Sequence, residues 1–288
     1  MHRYIKAFIS MIKVEDQIGN LLAFMTGYIY SSGFIASSSL PYALASTCFG
    51  LMATNSLNQC TDVDTDRINK PDRPIPAGLI SIKEGYSIVA ILYAVTIALA
   101  VLVNTMFFAL TCIAVSLGIA YSIYPFRLKD RFVLSNLSIA LGYGTLNFLL
   151  GWLVTKPIYA APIHILIMLS ALDFFASISK DYRDIAGDIK HGSRTIPIVI
   201  GRGRAVSLEF TAIYIILALP LIYYVIAIDN NHMILLLIPL GSILAYHAHR
   251  CVIIGKDVEC YKSIMLLYIL IRSIIIIAYM IEYSVPYY

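Results

Sequence analysis

Charge is what this sequence has least of. Only 13% of its 288 residues are Asp, Glu, Lys or Arg, while 59% are hydrophobic and the mean hydropathy is +0.80. A soluble domain carries about a quarter charged residues, so an ordinary water-soluble globule is excluded. A disulfide or zinc framework is excluded too. The five cysteines (Cys48, Cys60, Cys112, Cys251, Cys260) form no CxxC pair and have no ligand spacing, which leaves them to packing. His164, His247 and His249 show no metal spacing with one another and fall near the ends of apolar runs. The first apolar run is broken by Lys6, Lys13, Glu15 and Asp16, with no small-residue cleavage site behind it, so it does not read as a signal peptide. A net charge of +4, dispersed by topology, argues against a nucleic-acid partner.

Long apolar runs fill the space that charge leaves. A membrane-spanning helix needs about 20 mostly apolar residues, and nine segments qualify: 17–34, 41–58, 86–103, 106–124, 132–154, 160–179, 205–228, 233–249 and 261–283. The expected fold is an all-α polytopic membrane protein. It is a single domain over 1–288, with nine transmembrane helices around a central cavity. Residues 1–14 set Arg3, Lys6 and Lys13 among Tyr4, Ile5, Phe8, Ile9 and Ile12, which suits an interfacial helix or the cytoplasmic start of the first span. With nine spans, all of the 21 Lys and Arg except Lys156 and Arg272 fall on one side. By the positive-inside rule that side is cytoplasmic, with the N-terminus inside and the C-terminus outside. The polar loops 59–85, 125–131 and 180–204 then form a cytoplasmic cap, and the function is expected there.

Two of these loops are acidic. The stretch from Asn58 to Gly78 reads NQCTDVDTDRINKPDRPIPAG, and Lys180 to Gly201 carries a second group of carboxylates. An EF-hand reading of the first fails, because its sixth position is Arg67 rather than Gly and its twelfth is Arg73 rather than Glu. If the second span continues as a helix, Asn58, Asp62 and Asp66 stack at i, i+4 and i+8 on one face. Asp181, Asp184 and Asp188 stack at i, i+3 and i+7 on another, while Asp64 and Asp72 fall off the first face. Oxygen ligands without His or Cys select a hard cation, and Mg2+ commonly binds through a few carboxylates plus substrate phosphates. Lys70, Arg73, Lys180 and Arg194 then suit the phosphates themselves. The two stretches share a faint repeat. Asp62-x3-Asp66 precedes Arg73-Pro74-Ile75-Pro76 and Gly78, and Asp184-x3-Asp188 precedes Arg194-Thr195-Ile196-Pro197 and Gly201. This suggests two four-helix halves plus a ninth helix. Within the spans, Asp173 is expected either to pair with Arg272 or to face an acceptor pocket, and Asn20, Asn136 and Asn147 to join helices.

A diphosphate cradle capping a membrane cavity points to a substrate with a diphosphate head and a hydrocarbon tail. At these motifs the sequence resembles the UbiA superfamily of intramembrane prenyltransferases: NxxxDxxxD at Asn58, Asp62 and Asp66, NKPxRPIPxGxIS from Asn69 to Ser81, and KDxxDxxxD from Lys180 to Asp188 followed by a TIP tail. It departs at Gln59, where the family commonly has Asp, and at Ser177, where it often has Glu. The resemblance implies transfer of a prenyl group from a polyprenyl diphosphate to a lipophilic or amphipathic acceptor. Two Mg2+ ions would be held by Asp62, Asp66, Asp181, Asp184 and Asp188, with Asn58 completing the first site. Lys70, Arg73, Lys129, Lys180 and Arg194 would hold the diphosphate, and Arg73 and Lys180 would also act in catalysis on the leaving group. Tyr121 or Tyr124 would sit beside the allylic cation. The NKPDRPIPAGLIS stretch is closer to the branch that prenylates geranylgeranylglyceryl phosphate, or to chlorophyll-type prenylation, than to the 4-hydroxybenzoate branch. Two other readings share the features: an intramembrane terpene cyclase with the same metal cradle, and a non-catalytic transporter or lipid-binding protein.

Overall fold

A computed structural model describes residues 2–13, 17–33, 35–227 and 237–284. It is 81% helix, with no strand among the described residues. In chain order the helices are α1 (His2–Ile12), α2 (Gln17–Ser32), α3 (Leu40–Thr61), α4 (Val63–Asn69), α5 (Ile82–Val101), α6 (Thr105–Ser122) and α7 (Leu134–Ile139). A π-helical turn, Ala140–Leu146, joins α7 to α8 (Asn147–Trp152). There follow α9 (Ile163–Ala176), α10 (Ile178–Lys190), α11 (Ile196–Ile200), α12 (Arg202–Ala227), α13 (Leu237–Ile253) and α14 (Asp257–Ser284). Four helices among the described residues are long and apolar enough to cross a membrane: Ile82–Val101, Thr105–Ser122, Ile163–Lys190 and Asp257–Ile277. The edges of three expected spans (17–34, 205–228 and 233–249) and the end of the expected interfacial segment fall on residues outside the described set.

Local chemistry sets the helix ends. Ser81 and Glu84 form a capping box at the start of α5: the Ser81 hydroxyl accepts from the Glu84 N–H (3.2 Å), and the Ser81 N–H donates to the Glu84 carboxylate (2.8 Å). Asn104 does two jobs in the tight α5–α6 hairpin. Its side-chain oxygen accepts from the Phe107 N–H (2.9 Å), and its amide donates to the Leu153 carbonyl (2.8 Å), tying α6 to the end of α8. Where α2 crosses α8 the backbones nearly touch. A Cβ on Gly27 would lie 1.9 Å from the Phe148 carbonyl oxygen, and one on Gly151 1.9 Å from that of Phe24. Small residues permit such crossings in lipid, where close van der Waals packing replaces the hydrophobic effect.

The helices surround a cavity of about 690 Å³. Its wall is built by α2, α3, α4, α6, the α7–α8 helix with its π turn, α9–α10 and α14, with Thr96 contributed by α5. Helices α12 and α13 pack behind, against α9 and α14. Ile91, Ile113, Ile167 and Ile243 are more than half exposed on the outer faces, an arrangement that suits hydrocarbon and not water.

Candidate active site

The first acidic stretch does not continue α3 as one helix. Helix α3 ends at Thr61, and Asp62 adopts φ −105°, ψ 14° before α4 begins. Hydrogen bonding runs through the break: the Asp62 N–H donates to the Asn58 carbonyl (3.1 Å), and the Asp66 N–H to that of Asp62 (2.7 Å). The chain therefore bends while Asn58, Asp62 and Asp66 all still reach the cavity. Asp at 62, 64 and 66 explains the break, because Asp favours helix ends over helix interiors. The second stretch is different: α9 and α10 run on through Ser177 as a 28-residue helix, Ile163–Lys190.

The two stretches meet at one end of the cavity. The Lys70 ammonium lies 2.5 Å from Asp184 Oδ2. The Asn69 amide donates to the Asp184 carbonyl (3.0 Å), and its oxygen accepts from the Gly187 N–H (3.0 Å). A Cβ on Gly187 would lie 2.5 Å from that amide, so only glycine permits this clasp.

Cations pair with the carboxylates one by one. Lys129, from the loop after α6, lies 2.5 Å from Asp62 and donates to Asn58 Oδ1 (2.9 Å) and the Thr61 hydroxyl (2.8 Å). Arg127 reaches Asp62 at 3.2 Å and also pairs with Asp130. Arg73 lies 2.5 Å from Asp66, and Lys180 2.7 Å from Asp181. Burial lowers the pKa of Lys70 and of Lys129, against the pull of Asp184 and Asp62, and burial raises that of Asp66 despite Arg73. Asp181 Oδ2 and Asp184 Oδ1 are buried without a hydrogen-bond partner. Such orphan oxygens are costly unless a ligand or ion takes them up. Among the described residues no three His, Cys, Asp or Glu side chains converge closely enough to hold a metal by themselves. Carboxylates of two stretches facing one cavity, two of them with orphan oxygens, fit an ion that also takes ligands from a substrate diphosphate.

The expected site residues divide. Asn58, Asp62, Asp66, Lys70, Arg73, Tyr121, Lys129, Lys180, Asp181, Asp184 and Asp188 all line the cavity. Ser135 at the start of α7 accepts from Lys180 at 3.5 Å. Tyr124 does not line the cavity; it is 73% exposed, with Arg127 lying 5.1 Å over its ring. Arg194 is exposed, and its backbone N–H donates to the Asp130 carbonyl (2.7 Å). Asp64 and Arg67 pair with each other in solvent. Asp173 and Arg272 form a doubly hydrogen-bonded pair at 2.9 Å inside the cavity wall, and Arg272 also donates to the Gly19 carbonyl (3.0 Å). Asn136 donates to the Ser177 hydroxyl (2.7 Å) and so joins α7 to the α9–α10 junction.

Gln59 turns away from the cavity. It is 1% exposed, and its amide donates to the Met11 carbonyl of α1 (2.6 Å). The departure from Asp at this position therefore does not strip a carboxylate from the cavity wall. Ser177, by contrast, does line it. Sequence reasoning passed over Asn69, Arg127, Arg183 and Glu209. Glu209 is fully buried in α12 and accepts from the Tyr182 hydroxyl (2.8 Å), fastening α10 from behind. Its signal was present as a lone carboxylate in an apolar run.

Comparison with known proteins shows the family and the fold. The sequence model of the UbiA prenyltransferase family matches residues 20–270. A digeranylgeranylglyceryl phosphate synthase from Methanoculleus marisnigri is 33% identical over 206 residues, covering 68% of this chain and 69% of its own. One from Methanocaldococcus jannaschii is 29% identical over 281 residues, 96% of each chain. The solved structure of a UbiA homolog from Archaeoglobus fulgidus bound to GPP and Mg2+ has the same fold, with a TM-score of 0.75 at 20% identity over 94% of this chain and 99% of that one. Matched along most of its length by the family pattern and by such relatives, the chain belongs to the UbiA prenyltransferase family.

Proposed function

We propose that this protein transfers a prenyl group from a polyprenyl diphosphate to a prenylated glyceryl phosphate acceptor. The observation that carries the reading is the meeting of two acidic stretches, Lys70 to Asp184 at 2.5 Å, at the mouth of a cavity that continues between apolar helix faces. The names of the relatives, digeranylgeranylglyceryl phosphate synthases, support this acceptor class.

Asp62 and Asp66 on one wall, and Asp181, Asp184 and Asp188 on the other, would hold Mg2+; two ions match the two carboxylate columns. Mg2+ supplies Lewis-acid stabilisation of the departing diphosphate. The protein's own residues do the rest. Lys70, Arg73, Lys129 and Lys180 are held in place by carboxylates before substrate arrives, so their positive charge is already placed at the diphosphate end of the cavity. Helix α6 places Tyr121 beside Lys180 and presents Ala114, Val115 and Leu117 to the tail. The apolar walls exclude water from the carbocation formed on C–O cleavage.

In the bilayer the chain crosses nine times, in two four-helix halves with α14 closing the ring between α2 and α13. Helix α1 lies in the interface, and the polar cap and site open to the cytoplasm with the N-terminus inside. The placement of the cations supports this orientation.

Purified protein with Mg2+, a panel of prenyl diphosphates, and glyceryl phosphate and aromatic acceptors tests the proposal by mass spectrometry. A prenylated glyceryl phosphate is the expected product. A cyclised hydrocarbon without acceptor, or no diphosphate release with any acceptor, would refute it.

A further inference from the structure

Arg183 differs from most of the cations that line the cavity. Lys70, Arg73, Lys129, Lys180 and Arg272 each pair with a carboxylate. Arg183 also lines the cavity, yet it makes no ion pair among the described residues. Its guanidinium lies flat on the Tyr261 ring, 3.9 Å from the centroid, and its Nε is buried without an acceptor. A buried guanidinium N–H with nothing to donate to is costly. Stacking fixes the plane of the group and leaves its edge for an anion.

Helix α14 extends this feature into a track. Lys262 follows Tyr261, faces the same cavity and likewise has no ion pair among the described residues. Met265, Leu266 and Ile269 continue along the cavity side of α14, so about 10 Å of apolar helix follows the cationic end. A second track lies on α6, where Tyr121, beside Lys180, leads to Leu117, Ala114 and Thr111. The cavity thus offers two apolar tracks, each headed by cations, and the α6 track starts at Lys180, which is paired with the carboxylate of Asp181.

We infer that Arg183, stacked on Tyr261 and backed by Lys262, binds the phosphate monoester of the acceptor lipid, with that lipid's chain along α14. The inference rests on the proposed prenyl transfer to a phosphorylated acceptor. An Arg fork suits a phosphate in bidentate geometry, and an acceptor anchored there would not compete with the donor for Lys129 and Lys180.

The test is equilibrium binding of geranylgeranylglyceryl phosphate to the detergent-solubilised full chain, without prenyl diphosphate or Mg2+. The corresponding prenylglycerol without phosphate and inorganic phosphate serve as comparison arms. R183Q is expected to weaken binding of the phosphorylated lipid by about 10- to 100-fold, the range for one charged hydrogen-bond partner. R183K should recover part of the loss, and K262Q should lose less. The prenylglycerol should bind parent and R183Q alike, and inorganic phosphate should bind the parent far more weakly than the lipid does. Retained binding of a prenyl diphosphate by R183Q with Mg2+ shows that the variant is folded. Equal binding of the phosphorylated lipid by parent and R183Q, no binding by the parent, or a loss in R183Q confined to the prenyl diphosphate would each overturn the inference. If the parent binds the lipid through Arg183 but never prenylates it, the functional reading falls and the site stands. If product forms with an unchanged acceptor KM in R183Q, the reverse holds.

Discussion

The two acidic stretches look alike in sequence and are built differently. The first bends at Asp62 and is held by Lys129 and Arg127 from the loop after α6 and by Arg73 from its own loop. The second continues a membrane helix through Ser177, with two carboxylate oxygens left without partners. Gly78 and Gly201 occupy matching places and both have positive φ (69° and 88°). The matching arginines do not correspond, since Arg73 reaches Asp66 in the cavity while Arg194 faces solvent. A short repeat can therefore preserve backbone turns and metal-type carboxylates without preserving the role of each side chain between them.

Removing carboxylates tests whether both halves of the clamp are needed. Asp62→Ala and Asp184→Ala should each lower Mg2+-dependent diphosphate release by about 100-fold or more, because lost metal stabilisation is worth several kcal/mol at about 1.4 kcal/mol per tenfold. EDTA should abolish release in the parent. An unimpaired Asp184→Ala would break the two-sided clamp.

The arginines test the asymmetry directly. Arg73→Gln should cost about 10- to 100-fold in kcat/KM, as for a charged hydrogen-bond donor. Arg194→Gln should stay within about threefold, in line with surface substitutions of roughly 0.5 kcal/mol. Equal losses would restore the repeat as a functional one.

The clasp between the halves comes next. Gly187→Ala forces Cβ against the Asn69 amide, and it should raise the Mg2+ concentration needed for half-maximal rate by about tenfold, the scale seen when groups that orient metal ligands are disturbed. Gly203→Ala is the control. Nothing lies within 4 Å of its added Cβ in the first turn of α12, so it should leave the Mg2+ requirement unchanged.

Gln59→Asp has the smallest expected effect on catalysis. Restoring the family's usual residue should not increase the rate, because this side chain points at Met11 and not at the cavity. It should lower thermal stability by about 1–3 kcal/mol, since a carboxylate cannot donate to the Met11 carbonyl. A gain in activity would show that position 59 reaches the metal site after all.

Much of this was legible in the chain itself. Long apolar runs dictate helices in a bilayer because backbone groups must be satisfied within each segment, and acids placed i, i+3 or i+4 share a helix face whatever surrounds them. That is why acids and bases that line the cavity could be picked from sequence, while of the two expectations for Asp173 the structure shows the pairing with Arg272, in the cavity wall. Other assignments needed the assembled helices. Tyr121 and Tyr124 are indistinguishable by spacing, yet α6 ends at Ser122, so Tyr121 is held in the cavity wall while Tyr124 lies past the helix end and is exposed. Gln59 faces α1 because it lies one residue round the helix from Asn58. The Asn69–Gly187 clasp, the buried Glu209–Tyr182 contact and the stacking of Arg183 on Tyr261 join residues far apart in the chain. Sequence determined which helices form and what chemistry they carry, because hydrophobic run length and helical period are local. Tertiary structure decided which of the polar groups meet and which cavity cations have no ion pair among the described residues, because those depend on distances between helices that no local pattern encodes.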